Sequence, residues 1–352
     1  MNADWLTVPA APLNDSAQQD AVLRQGILTK PPGALGRLEE LAIRFAAMQG
    51  RSRPEIAKPH IVIFAADHGV AEEGVSAFPQ SVTTEMIRNF SRGGAAIAVL
   101  ARELGASLEV INLGTVTDPG PLDGVLAAML GPGTANFTRV PAMTADQLAR
   151  ALEIGRQAAE RAAMQGADLL IGGEMGIGNT TAATAIACAV LDLPVDSLVG
   201  PGTGLDPAGM GRKADIIRRA LARHREALRD PLEILRCLGG FEIAALEGAY
   251  LASAQIGLPV LVDGFIASTA ALLVVELCPQ AAQWLVYSHG SAEPGHKFVL
   301  EALHAEPLLR LGMRLGEGSG AAATVPLLRM ACALHNGMAT FTEAGVAEKI
   351  QA

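Results

Sequence analysis

Phe, Trp and Tyr make up only 4 % of this chain of 352 residues. Its core must therefore be built from Ala, Leu, Val and Ile, whose small side chains let helices lie close on a sheet. Cysteine is also scarce. Cys188, Cys237, Cys278 and Cys332 are far apart with no C-x-x-C pair, which argues against a disulfide framework or zinc site and for buried free thiols in a reducing compartment. Basic residues are outnumbered, 27 against 36 acidic, for a formal charge of −9. A binder of phosphate backbones needs clustered Lys and Arg, so nucleic acid is excluded as the main partner. Charged residues reach only 18 % and hydrophobic ones 50 %, the reverse of a disordered chain. The most apolar stretch, 266–278, is interrupted by Ser268, Thr269 and Glu276. It is too short and too polar to span a bilayer. The opening MNADWLTVPAAPLND has neither the basic nor the apolar region of an export signal, so a cytoplasmic location is expected. The low charge and apolar helices favour a homodimer.

Five short apolar runs share one design: 60–66 (HIVIFAA), 108–113 (LEVINL), 167–171 (ADLLI), 258–262 (LPVLV) and 283–287 (QWLVY). Near-continuous apolar character marks strands buried on both faces. Each run is followed within a few residues by glycine and a polar group. Ala-rich stretches at 145–164, 180–191, 213–227 and 241–256 read as helices between them. Strand–helix–strand alternation predicts an α/β fold, a parallel Rossmann-like sheet flanked by helices. Residues 58–300 would form this large domain, and residues 1–57 and 301–352 a smaller helical domain built from both termini. Ligands of such sheets bind outside the carboxyl ends of the strands, so Asp67, His68, Glu174, Asp263, Ser288 and His289 are expected along one cleft.

Four glycine-rich segments carry most of the chemistry. In GEMGIGNTT (173–181) a strand end runs into a helix start, where free N–H groups and the helix dipole favour an anion. The reading is a monophosphate cradle at Gly176, Ile177, Gly178, Asn179 and Thr180; the structural alternative is an ordinary turn capped by Asn179 or Thr180. The segment is neither a Walker A loop nor G-x-G-x-x-G. After GPGTGLD (200–206), Lys213 can close over the same phosphate or be a solvated helix-start lysine. LGEGSG (315–320) sets Glu317 between glycines, where a partly buried carboxylate can serve as a base near neutral pH; a solvated loop is the alternative. SHGSAEPGH (288–296) offers hydroxyl and backbone donors to a carboxylate ligand but no nucleophile elbow. Asp67 and His68 make no metal-ligand pattern and read either as a structural strand-end pair or as acid–base groups, while the loop 78–81 could wall an apolar pocket.

Taken together with KPPGALGRLEELA (30–42), FAADHGV (64–70), AFPQSVT (77–83) and VDGFIAS (262–268), these motifs resemble the nicotinate-nucleotide:dimethylbenzimidazole phosphoribosyltransferase family of cobalamin assembly. The resemblance implies transfer of the 5-phosphoribosyl group of nicotinate mononucleotide to 5,6-dimethylbenzimidazole, giving α-ribazole 5′-phosphate and nicotinate, with no metal or redox cofactor. It implies Glu317 as general base and the 176–180 loop with Lys213 as the phosphate site. Glu174, which the reading counts among the catalytic residues, and Asp263 would lie beside the ribose. Ser291 and Gly320 would face the nicotinate, and Pro79, Gln80, Ser81, Met86 and Leu315 would border the benzimidazole. Two alternatives stay open: a non-catalytic nucleotide or benzimidazole sensor on the same fold, and another glycosyl-transfer enzyme such as a phosphate-dependent nucleoside phosphorylase.

Overall fold

Six parallel strands in the order β3-β2-β1-β4-β5-β6 form the single sheet of the computed structural model, which describes residues 4–347. Along the chain, α1 (Asp15–Ile27) and α2 (Arg37–Gln49) precede β1 (Pro59–Ala66), and α3 (Ser81–Ser91) and α4 (Ala96–Leu104) lead to β2 (Ser107–Gly114). A short β3 (Val125–Ala127) and the long α5 (Ala145–Met164) come before β4 (Leu169–Met175). Then come α6 (Asn179–Leu191), α7 (Val195–Leu198), α8 (Pro207–His224), α9 (Pro231–Leu238) and α10 (Phe241–Ile256), ahead of β5 (Val260–Val262). Finally α11 (Phe265–Leu277) leads to β6 (Leu285–Tyr287), followed by α12 (His296–Ala302), α13 (Ser319–Gly337) and α14 (Phe341–Ala344).

Each of the five apolar runs contains a strand, although 167–168, 258–259 and 283–284 lie outside it, and the pairing is parallel throughout. The edge strand β3 is an addition that the sequence did not announce. Its three residues are too few to show a period, and only β2 defines it. The helices at 145–164 and 241–256 fall where the Ala-rich stretches predict. The first is fixed by Thr144, which accepts the Gln147 N–H while the Gln147 side chain accepts the Thr144 N–H, a reciprocal N-terminal cap. The helix expected over 213–227 starts earlier and ends earlier. Asp206 accepts the Gly209 N–H at 2.7 Å and Pro207 fills the first helical turn, where proline's missing N–H costs nothing. The chain leaves the helix after His224.

Helix α10 is buried along almost its whole length, including both Glu242 and Glu247. It crosses α5 at unusually close range because the contact is made by backbone. A β-carbon at Gly155 would overlap the carbonyl of Ala245, and one at Gly248 would overlap the carbonyl of Leu152. The predicted reliance on small core residues is met here in its most direct form. Helix α1 also meets the end of α13. Arg24 of α1 donates to the carbonyls of His335, Asn336 and Met338 at 2.7, 2.9 and 3.2 Å, a cation satisfying the orphan acceptors of a helix C-terminus. Helix α13 thus ends among the N-terminal helices and begins at the sheet, where it brings residues 315–321 to the carboxyl end of β4. Among the described residues no helix is long and apolar enough to cross a membrane. All four cysteines are buried and free.

Candidate active site

The chain turns from β1 toward β2 on one side and from β4 toward β5 on the other, so the centre of the sheet is a topological switch point, where open α/β sheets bind their ligands. A cavity of about 280 Å³ opens there, bordered by the end of β4, the start of α6, the β5–α11 turn and the segments around Thr203, Ser291 and Arg314.

One wall suits an anion. Helix α6 starts directly after β4, and Gly178 at φ 103° is its N-cap. Neither Asn179 nor Thr180 caps the helix, contrary to the alternative drawn from sequence. The first-turn N–H groups of a helix have no partner within it and carry its positive end. Gly176 is pressed on β1, since a β-carbon there would overlap the carbonyl of Ala66. Lys213 reaches in from α8 with its side chain wholly buried. Its Nζ donates to Thr180 Oγ1 at 2.9 Å and to Gly200 O at 3.2 Å. Burial pushes its ammonium down to about 8, against the pull of the Glu293 carboxylate. Arg314 Nη1 donates to Gly202 O at 2.7 Å on the same side.

The other wall is acidic. Glu174 Oε2 accepts a short hydrogen bond from Asn179 Nδ2. Burial, followed by the charges of Glu242, Asp263 and Glu317, holds its carboxyl well above the ordinary range. Asp263 ends β5 and accepts the Ala321 N–H at 2.8 Å. Burial raises its pKa, opposed by His289 and the surrounding N–H groups. Glu317 is 5 % exposed, adopts φ 63°, and has a buried Oε2 without a hydrogen-bond partner. Burial lifts its carboxyl to about 7, with Asp263 adding and the Ile97 N–H opposing. The backbone of Glu317 lies against β4: a β-carbon at Gly173 would come within 2.5 Å of its carbonyl carbon. Beside this wall, His296 Nδ1 accepts the Ser291 N–H at 2.8 Å and its Nε2 lies 2.9 Å from Ser268 Oγ. Burial drives this imidazole down to about 3, so it is neutral.

Of the residues singled out from sequence, Glu174, Gly176, Ile177, Asn179, Thr180, Asp263, His289, Ser291 and Leu315 line the cavity. Lys213 acts on it through Thr180. Gly320 packs on the His289 ring. Glu317 follows the lining residues Leu315 and Gly316 but is itself buried beside them. Phe78 lines the cavity, whereas Pro79, Gln80, Ser81 and Met86 do not. The Gln80 side chain instead donates to His68 O at 2.9 Å. Asp67, His68 and Ser288, expected along the cleft, are buried away from it. Each has an interior partner. His68 Nε2 lies 2.5 Å from Glu242 Oε1. Asp67 Oδ2 accepts the Val116 N–H at 2.9 Å. Ser288 Oγ lies 3.2 Å from His289 Nδ1. The sequence reading missed Phe265 and Ile266, which read as ordinary core of an apolar helix, and Arg314. A cation three residues before the glycine-flanked Glu317 was the available signal for Arg314.

Comparison with known proteins agrees with this architecture. A family model described as Phosphoribosyltransferase matches residues 10–346. The chain is 59 % identical over 349 residues to the nicotinate-nucleotide–dimethylbenzimidazole phosphoribosyltransferase of Pseudomonas putida, covering 99 % of each chain. It is 61 % identical over 350 residues to the enzyme of the same name from Azotobacter vinelandii, again covering 99 % of each. A crystal structure of nicotinate-nucleotide-dimethylbenzimidazole phosphoribosyltransferase from Thermus thermophilus superposes with a TM-score of 0.90 at 46 % identity, covering 96 % of this chain and all of that one.

Proposed function

The chain belongs to the phosphoribosyltransferase family that contains these relatives, and on that premise we propose that it moves the 5-phosphoribosyl group of nicotinate mononucleotide to 5,6-dimethylbenzimidazole. The observation that carries the reading is the buried carboxyl of Glu317, with Oε2 unpartnered, on the loop whose preceding residues Leu315 and Gly316 line the cavity that the α6 N-terminus closes.

The chemistry asks little of the protein at the leaving group. The glycosidic nitrogen of a nicotinate nucleotide is a pyridinium, so when the C1′–N bond breaks the electron pair returns to that nitrogen and nicotinate departs without protonation. The azole nitrogen must be held in line with C1′, a positioning task. As it attacks, the N–H proton of the azole passes to the Glu317 carboxylate, a step worth about 10²–10⁴-fold. Attack opposite the leaving group gives the α anomer. The α6 N-terminus, Thr180 and Lys213 would hold the 5′-phosphate, and Ser291 with the Gly320 backbone would face the nicotinate. Glu174 and Asp263 would lie beside the sugar, where Asp263, its charged form favoured by His289 and backbone N–H groups, would stabilise positive charge developing on it. Phe78 and Leu315, with residues 79–86 behind them, would receive the flat bicyclic base.

The reading also carries a cytoplasmic location, in keeping with four buried free thiols, a homodimeric assembly, and a division into residues 58–300 and a helical unit made of residues 1–57 and 301–352. Sedimentation of the purified protein tests the assembly. Mixing the two substrates without inorganic phosphate and following nicotinate release by chromatography tests the reaction. Release requiring phosphate, or none at all, would overturn it.

A further inference from the structure

Thr83 stands where the two halves of the site touch. It lies on the first turn of α3, the helix that follows the Phe78 loop, and it is completely buried. Its Oγ1 accepts the N–H of Ile177 at 3.1 Å, in the middle of the anion loop and 94 residues away in sequence. Having accepted that bond, the hydroxyl still has its own proton to give. The neighbouring group is Asp67, buried at the end of β1, whose Oδ2 is taken by the Val116 N–H and whose Oδ1 has no hydrogen-bond partner. The Thr83 hydroxyl opposes the upward push of burial on the Asp67 carboxyl. A second bond joins the same two regions, Gln80 Nε2 donating to His68 O at 2.9 Å. The anion loop is held from below as well: a β-carbon at Gly178 would come within 3.1 Å of His68 Cβ.

We propose that Thr83 is a positioning residue: its hydroxyl, accepting the Ile177 N–H, holds the anion loop at a fixed height above β1 and ties it to the helix behind Phe78. This rests on the function proposed above. Thr83 engages the Ile177 N–H as Gly176 O and Gly178 O engage those of Asn179 and Thr181, and of these acceptors only Thr83 lies outside the loop and its helix.

The test uses the full-length protein and three variants. Thr83→Val keeps the shape and removes the acceptor, Thr83→Ser keeps the hydroxyl, and Thr83→Ala serves if the valine variant does not fold. With nicotinate mononucleotide varied at saturating 5,6-dimethylbenzimidazole, Thr83→Val is expected to raise KM for the nucleotide about tenfold and to change kcat less than about threefold, the size expected for one lost hydrogen bond. Inorganic phosphate, used as a competitive inhibitor, should weaken by the same factor, and Thr83→Ser should recover most of both losses. A purely structural role would lower the melting temperature and leave KM and the phosphate inhibition constant where they were, which would overturn the inference. So would a serine variant as impaired as the valine one. If the wild-type chain releases no nicotinate, the proposed function fails instead, and the two failures are told apart by that control.

Discussion

Asp263 Oδ1 accepts the N–H of Ala321 at 2.8 Å, so the carboxylate that ends β5 caps the helix that starts two residues after Glu317. The acid of one strand end thereby sets the position of the acid on another segment. Asp263→Ala would strand buried N–H groups, a cost of about 1–3 kcal/mol, visible as a lower urea midpoint. It should also lower kcat, because the Glu317 loop loses its anchor. Asp263→Asn keeps an acceptor oxygen and should lose less of both. Equal stability of the alanine variant and wild type would contradict the capping role.

Glu317 ties activity and stability to pH in opposite directions. Its folded-state pKa of about 7 lies above the ordinary 4.5, so the folded protein holds this proton more tightly than the unfolded chain. Stability is therefore undiminished below about 4.5, falls as pH rises toward 7, and stays reduced above it. Glu317→Gln should melt close to wild type near pH 4 and be more stable at pH 8, by about 1–3 kcal/mol at 1.36 kcal/mol per unit. The same variant should lose 10²–10⁴-fold in turnover, because a base must be ionised. Thermal melts at the two pH values, set beside initial rates, check both signs.

The profile of kcat/KM against pH should be a narrow bell. Ionisation of Glu317 sets the rising limb near 7. Lys213, with its ammonium brought down to about 8, sets the falling limb, since a neutral amine no longer attracts phosphate. This parameter reports groups of the free enzyme, the state described by the structure. Lys213→Arg keeps its charge at every accessible pH and should abolish the falling limb even where overall affinity drops. A falling limb unchanged in that variant would remove Lys213 from the phosphate site.

The crossing of α5 and α10 makes a prediction independent of chemistry. Gly155→Ala and Gly248→Ala each drive a methyl into facing backbone and should cost about 1–3 kcal/mol by overpacking. A calorimetric scan in which either variant matched wild type would mean that the helices separate without penalty.

What could be read from sequence was local. The runs at 60–66 and 258–262 announce buried strands because their apolar character is continuous, and the motif around Gly176 announces a strand-to-helix turn because glycine is placed where the helix starts. The start of α8 was hidden because Gly209 and Gly211 suggest a loop, while the Asp206 cap that overrides them is visible only as geometry. The cleft was assigned too many strand-end residues for a related reason. A polar residue after a strand can face ligand or interior. For His68 the choice is made by Glu242, 174 residues later in the chain, and no local pattern encodes that. Arg314 and Thr83 went unnoticed because each acts through a backbone partner on a distant segment, Gly202 and Ile177.

Glu317 sits in the left-handed region of backbone space, φ 63°, where an ordinary side chain is disfavoured by about 1–2 kcal/mol and glycine is at home. The fold on its own would rather have glycine at this position. A random library sorted only for survival of heating should therefore accumulate glycine at 317, yielding sturdy but inert protein, so any effort to harden this molecule has to score turnover in every round.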